Sequence, residues 1–310
     1  MELSILLSKQ IIVQFLMLAV GFLLIKINVL KSADATAISK LVLYVIAPCA
    51  IFNSFRIEFT DDVKNGLLLA FGVALFINLF FIFLSKGISK PFHLDTVEEM
   101  TLAYPNSGNL ILPIVLAVLG QEWTIYCCAY IIIQNVLIFA HCESRICGET
   151  KIEPLKILMK PCIISIIIAA VFFLLGIEMP TIINNTLDGF GAMLAPASML
   201  VIGMAIGTAN FKEIFTAPKH YFVCFLRLIV YPLIILLLFK VTNICALFPD
   251  AKSVLLIPFL AAASSPAATV TQMAQCHDNN PAKASALNTM SVCFLIVTMP
   301  VMVMLYQLIL

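Results

Sequence analysis

The residues of this chain that could do chemistry stand where polar groups are costly. Asn106-Ser107-Gly108-Asn109, followed by Pro113, interrupts an apolar segment that runs from about Val97 to Gly120. A segment of that length can cross a bilayer. Backbone broken at membrane depth is tolerated only against protein or a wet cavity, so such a break is read as a binding site. A second interruption follows at Ser264-Ser265-Pro266-Ala267-Ala268-Thr269, continuing to Gln272. Ser265 is placed to cap a new half-helix and Pro266 to occupy its first turn, where no N–H is needed. Pro113 likewise suits the start of a half-helix, with the Asn/Ser/Gly stretch as its unwound approach. Each half-helix N-terminus carries about half a positive charge and free N–H donors. Two of them crossing near the midplane would converge on one spot, and a carboxylate is the natural guest. Asn106, Ser107, Gly108, Asn109 and Pro113 are therefore expected to bind substrate, with Ser265, Pro266, Ala267, Thr269 and Gln272 opposite them.

Other polar residues in apolar runs are fewer. Gln134 and Asn135 fall inside Ile131-Ile132-Ile133-Gln134-Asn135 and either bond a neighbouring helix or line the cavity beside the break. Arg227 is the only basic residue deep in an apolar segment. Bonding to carbonyls or pairing with Asp188 is the structural reading; a substrate counter-ion is the functional one. Acids are absent from the middle of the segments: Glu98, Glu99, Glu122, Glu143, Glu178 and Asp278 fall at their ends. A cation carrier needing a counter-charge is disfavoured and an anion carrier favoured. If a proton is coupled, Asp188, His277 or the substrate carries it. His141-Cys142-Glu143 with Cys147 matches no zinc spacing, so no metal and no cofactor is expected.

The elements that position these residues are helices in a membrane. The 310 residues are 62% hydrophobic and 11% charged, with a mean hydropathy of +1.08. Soluble domains carry about 25% charged residues. The net charge of +1 gives no case for nucleic acid. The ten cysteines are scattered through apolar segments, as lipid-buried small hydrophobes rather than a disulfide framework. Apolar windows fall at roughly 5–26, 36–55, 65–85, 97–120, 122–142, 157–176, 186–207, 219–240, 252–275 and 283–308. The first is too long for a signal-peptide core and no small-residue cleavage site follows it. Ten spans are expected, as an all-α integral membrane protein.

With the N-terminus outside, twelve lysines and arginines fall in inner loops and five on the outer side. That bias predicts both termini on the extracytoplasmic side of a plasma membrane. Pro48 and Pro196 are 148 residues apart, and Pro113 and Pro266 are 153 apart. A shared shift of five spans predicts two inverted repeats, 1–142 and 157–310, joined by a cytoplasmic linker at 143–156.

These residues resemble the auxin efflux carrier family, which includes plant auxin carriers and bacterial malonate and malate carriers. Gly21-Phe22-Leu23-Leu24-Ile25-Lys26 and Leu41 to Pro48 are similar to its first two spans, and Asn106 to Pro113 to its span-four signature. Gln134-Asn135, Gly203, Arg227-Leu228 with Pro232, and Ser265-Pro266-Ala267 to Ala274 with His277 fit the later spans. The resemblance covers the whole length. It implies broken helices 4 and 9 crossing beside an organic-anion site. It also implies an elevator whose scaffold and homodimer interface are spans 1, 2, 6 and 7, with spans 3–5 and 8–10 moving. Asn106 falls on the family's substrate-contacting asparagine, Pro113 and Pro266 on its crossing prolines. An efflux carrier is implied, while proton, sodium or no coupling remain alternatives.

Three positions depart from the family pattern: Ile111 replaces a glycine, Ser265 a proline and His277 a tyrosine. The long cytoplasmic loop of the plant carriers is missing. A membrane enzyme is disfavoured because no Gly-x-Gly-Asp, His-Glu-x-x-His or Gly-x-Ser-x-Gly arrangement occurs. A channel or sensor built on a carrier fold is the remaining alternative.

Overall fold

A computed structural model describes residues 2–57, 60–148, 158–177, 179–208 and 211–310. These residues include ten helical segments that each overlap one of the apolar windows, and a short helix, Phe211–Thr216, between the seventh and eighth. The ten are α1 (Glu2–Lys26), α2 (32–54), α3 (Asp61–Ser89), α4 in two halves (α4a, Thr96–Ala103; α4b, 107–118) and α5 (Gln121–Cys147). The chain continues through α6 (Pro161–Leu175), α7 (Thr181–Gly207), α8 (Pro218–Thr242), α9 in two halves (α9a, Ala251–Ala262; α9b, Ala268–Cys276) and α10 (Pro281–Ile309). Six of the segments are long and apolar enough to cross a membrane, and α6 and α9a are shorter apolar helices. Large apolar side chains such as Leu68, Phe83, Leu174 and Val297 point outward, as lipid contact requires and as soluble surfaces avoid. Of the linker expected at 143–156, Glu143–Cys147 prolongs α5 and Gly148 ends it in the left-handed region; residues 149–156 lie outside the described residues.

Local chemistry sets the helix ends and kinks. Thr60 accepts from the Val63 N–H to open α3, and Asp61 and Asp62 favour its positive end. Asp95 caps α4a reciprocally with Glu98, at 2.9 and 2.8 Å. Three helices loosen to a π turn just before a proline: Val42–Ile46 before Pro48, Ser107–Ile111 before Pro113, Leu226–Val230 before Pro232. A proline ring presses on the carbonyl four residues back and offers no N–H, so the wider turn relieves the clash. The bonds show it, with Ala47, Leu112 and Tyr231 each donating to the carbonyl five residues before.

The segments pack through two kinds of contact. α1 and α7 touch backbone to backbone at Gly203, where an added Cβ would lie 1.9 Å from the Leu18 carbonyl oxygen; small residues allow this approach between membrane helices. At the other extreme, an ion cluster ties α4a, α5, α8 and α10 at one end of the molecule. Lys219 lies 2.8 Å from buried Glu98, Arg145 lies 3.2 Å from Glu99, and Lys283 pairs with Asp95.

Candidate functional site

The two broken helices meet, and they meet through their backbones. The Asn106 N–H donates to the Ser265 carbonyl and the Ala267 N–H to the Tyr104 carbonyl, both at 2.9 Å. Pro105 and Pro266 face each other in this short antiparallel bridge. The Ser264 hydroxyl also accepts from the Asn106 N–H, at 3.0 Å. The reason lies in the prolines, since neither can donate and each biases its predecessor to extended backbone. The break in α4 is thus at Tyr104–Asn106, upstream of the expected one. Ser107-Gly108-Asn109 already belong to the loosened first turn of α4b. The residue that meets Pro266 is Pro105, not Pro113, and their separation is 161 residues rather than 153. α9b starts two residues later than expected, at Ala268 behind an extended Ala267, so Ser265 does not cap it. Ser265 is fully buried, with no partner for its hydroxyl among the described residues.

Side chains from other helices brace the crossing. Gln134 of α5 accepts from the Ser107 hydroxyl and donates to the Pro105 carbonyl, holding both sides of the break in α4. The Tyr104 hydroxyl donates to the Leu137 carbonyl at 3.1 Å and lies 2.9 Å from His141 Nδ1. On the other arm, Arg227 is wholly buried and donates to the Ala262 and Ala261 carbonyls at 3.1 and 3.4 Å. These carbonyls end α9a, so the guanidinium meets the negative end of a helix; that of Ala261 also accepts from the Ser264 N–H and hydroxyl, at 3.1 and 2.8 Å. Its Cζ also stands 5.3 Å from the centre of the Phe81 ring.

Beside the crossing lies a cavity of about 270 Å³. The breaks contribute Pro105, Asn106, Ser107 and Gly108 on one arm and Ala267, Ala268 and Thr269 on the other. At Asn106 it is the backbone N–H that makes the crossing, and its side-chain amide forms no hydrogen bond among the described residues. The N–H groups of Ala268 and Thr269 open α9b and have no acceptor within the helix. Around them stand Asn135, Gln272, Asn288 and Ser198, over an apolar floor that includes Ile131, Ile138 and Ile202. Buried Ser198 and half-buried Asn288 have side-chain oxygens without a partner among the described residues. One charged side chain lines the cavity, Lys160 at the start of α6, whose Nζ rests 4.4 Å from the centre of the Phe139 ring. Chemically this is a small chamber rich in donors, with no carboxylate among its described lining.

The expected site residues are thus partly gathered. Asn106, Ser107, Gly108, Gln134, Asn135, Ala267, Thr269 and Gln272 line one chamber. Ser265 and Pro266 are buried in the crossing behind it, and Pro113 is buried in α4b. The side chain of Asn109 lies outside the described residues. Ile111 is 1% exposed within the main core and does not line the cavity. Asp188 is exposed at the opposite end, paired with Arg56 at 2.6 Å rather than with Arg227. It edges a second, more open crevice with Gln14, Asn53 and Gln121. His277 is exposed at the end of α9b, away from the cavity. Pro105, Lys160, Ser198 and Asn288 are additions. Pro105 and the Asn288-Thr289 pair carried a signal, a helix breaker and a polar pair inside apolar segments; Lys160 and Ser198 carried none. Among the described residues no group of acidic, histidine and cysteine side chains could hold a metal ion.

No curated protein matches the chain. The sequence profile of the family described as membrane transport protein matches residues 6–142 and 145–303, nearly the whole length. The chain therefore belongs to the membrane transport protein family, that of the auxin efflux carriers.

Proposed function

We propose that this protein is a secondary transporter of a small organic anion, a mono- or dicarboxylate or an auxin-like acid. The observation that carries the reading is the chamber at the crossing. Free helix amides, the Asn106 amide and Lys160 face it, and no carboxylate does. An anion finds donors and positive helix ends there, whereas a cation would find no counter-charge. At about 270 Å³ the chamber is at the lower edge of the range for small-molecule sites, about 300–1,000 Å³. The guest is small.

In this reading all ten segments span the plasma membrane as two inverted five-helix repeats, 1–142 and 157–310, with both termini outside. Ser39, Lys160, Ile206, Gln272 and Asn288 line the cavity, and each lies toward the helix end that adjoins the cation-rich inner loops. The cavity then faces the cytoplasm. α1, α2, α6 and α7 form the scaffold and the homodimer interface, as the family resemblance implies. The remaining helices travel as a unit, which the ion cluster on α4a, α5, α8 and α10 would hold together. Towards the outside, the Gln121 amide donates to the Ala50 carbonyl at 3.1 Å, and Ser54 lies 3.5 Å from Cys128. Such contacts, broken and remade as the unit travels, fit alternating access with export as the direction.

Counterflow in proteoliposomes tests the reading. Asn106→Ala keeps the backbone bonds of the crossing and removes only the group that faces the guest. It is expected to abolish saturable counterflow of labelled carboxylates while leaving yield and elution profile unchanged. Normal transport by that variant removes the site, and a flux that never saturates favours a channel.

A further inference from the structure

The chamber has two walls of different origin, and its one charged side chain stands alone on one of them. Asn106, the free amides of α9b, Asn135 and Asn288 come from the helices proposed to move. Lys160 comes from the other wall, at the first residue before α6, where its extended backbone (φ −68°, ψ 132°) leads into Pro161. That geometry fixes where the side chain starts, since proline presets the first helical turn. Among the described residues, no carboxylate lies within ion-pair reach of the lysine. Its one partner across the gap is the Phe139 ring of α5, at 4.4 Å. A cation–π contact of this kind is weaker than a desolvated charge pair with an anion. A ring is a placeholder for a lysine facing a site otherwise built of neutral donors.

We infer that Lys160 is a specificity-determining residue: it leaves the Phe139 ring to pair with the charge of the bound anion, so that the guest joins the two walls. The inference rests on the anion reading proposed above. Its signature is charge counting. The neutral donors at the crossing serve one carboxylate of any guest, while the ammonium adds most for a guest with a second charge to offer.

The test compares malonate with propionate, acids of equal carbon number and different charge. Equilibrium binding is measured on the full-length protein in nanodiscs at low and high salt, for the wild type, Lys160→Gln and Lys160→Arg. Lys160→Gln is expected to weaken malonate at least tenfold and propionate less than threefold. Lys160→Arg should stay within about threefold of the wild type for both acids, and added salt should weaken malonate more than propionate in the wild type alone. An unchanged malonate-to-propionate ratio in Lys160→Gln, with both acids still bound, overturns the role of Lys160 and leaves the anion reading standing. Absence of binding of either acid to the wild type overturns the anion reading, and this inference with it. If Lys160→Gln does not fold, a salt response equal for the two acids in the wild type overturns the role by itself.

Discussion

Replacing Gln134 by leucine keeps the volume of a buried side chain and removes both of its hydrogen bonds at the break. The native amide is 3% exposed, accepts from the Ser107 hydroxyl and donates to the Pro105 carbonyl. A buried polar group left without a partner costs about 1–3 kcal/mol. The Ser107 hydroxyl can turn toward the cavity and water, but the Pro105 carbonyl is held in the crossing. Gln134→Leu is therefore expected to destabilise the protein by about 2 kcal/mol, mostly through that carbonyl. Ser107→Ala should cost about 1 kcal/mol, because it strands only the amide oxygen. Side-chain hydrogen bonds in membrane proteins couple by about 0.6 kcal/mol on average and 1.7 at most. The double variant should accordingly be more stable than the sum of the single effects, by an amount in that range. Unfolding by SDS in mixed micelles gives the free energies. Buried, unpaired Cys127, Cys128, Cys142 and Cys224 offer a thiol-labelling readout of the unfolded fraction. If Gln134→Leu lies within about 0.3 kcal/mol of the wild type, or the two effects simply add, Gln134 does not brace the break.

Two further outcomes follow from the packing. Gly203→Ala should lose the folded, monodisperse peak in size-exclusion chromatography, because its Cβ would meet the Leu18 carbonyl at 1.9 Å. Gly72→Ala, with open space around the added atom, should elute as the wild type does. Arg227→Met should lower stability by about 2 kcal/mol, as the Ala262 carbonyl loses a charge-assisted bond and that of Ala261 keeps only Ser264, a loss partly offset because a cation no longer has to be desolvated. Arg227→Lys should recover part of that loss, and a methionine variant as stable as the wild type would refute the capping role.

How much of this was legible beforehand depends on what kind of force sets each feature. Helices follow from apolar length, so every window overlaps a helix. The two breaks announced themselves by polarity, but polarity misplaced them. Asn106 to Asn109 drew the break downstream, whereas the constraint on the backbone comes from Pro105, which acts on Tyr104 and on its own missing N–H. The spacing of the proline pairs differs as well, 148 residues at Pro48 and Pro196 but 161 at Pro105 and Pro266. Lys160 was legible as a charge near a helix end and entered the inner-side tally of lysines and arginines. Nothing in one dimension says that α6 starts against the chamber. Ser198 is a lone polar residue in an apolar helix, a pattern shared by ordinary helix contacts.

The crossing has a consequence for what the chamber refuses. Within the crossing the backbone acceptors are used up: the Ser265 and Tyr104 carbonyls by the bridge, the Pro105 carbonyl by Gln134, and the Ala261 and Ala262 carbonyls by Arg227, whereas the Ser198 and Asn288 side-chain oxygens stay open. The positive end of α9b and Lys160 set the sign of the chamber, and no carboxylate in its described lining offsets them. A site so polarised judges a molecule by its lone pairs more than its outline. In the anion reading, the methyl ester or primary amide of a transported acid nearly matches it in shape, yet loses the charge that the helix end and Lys160 would meet. Sites built to bond a polar group reject the analogue lacking it by factors of about 10⁴–10⁵. Such near-isosteres should be left outside, kept out by the charge they lack rather than by their outline.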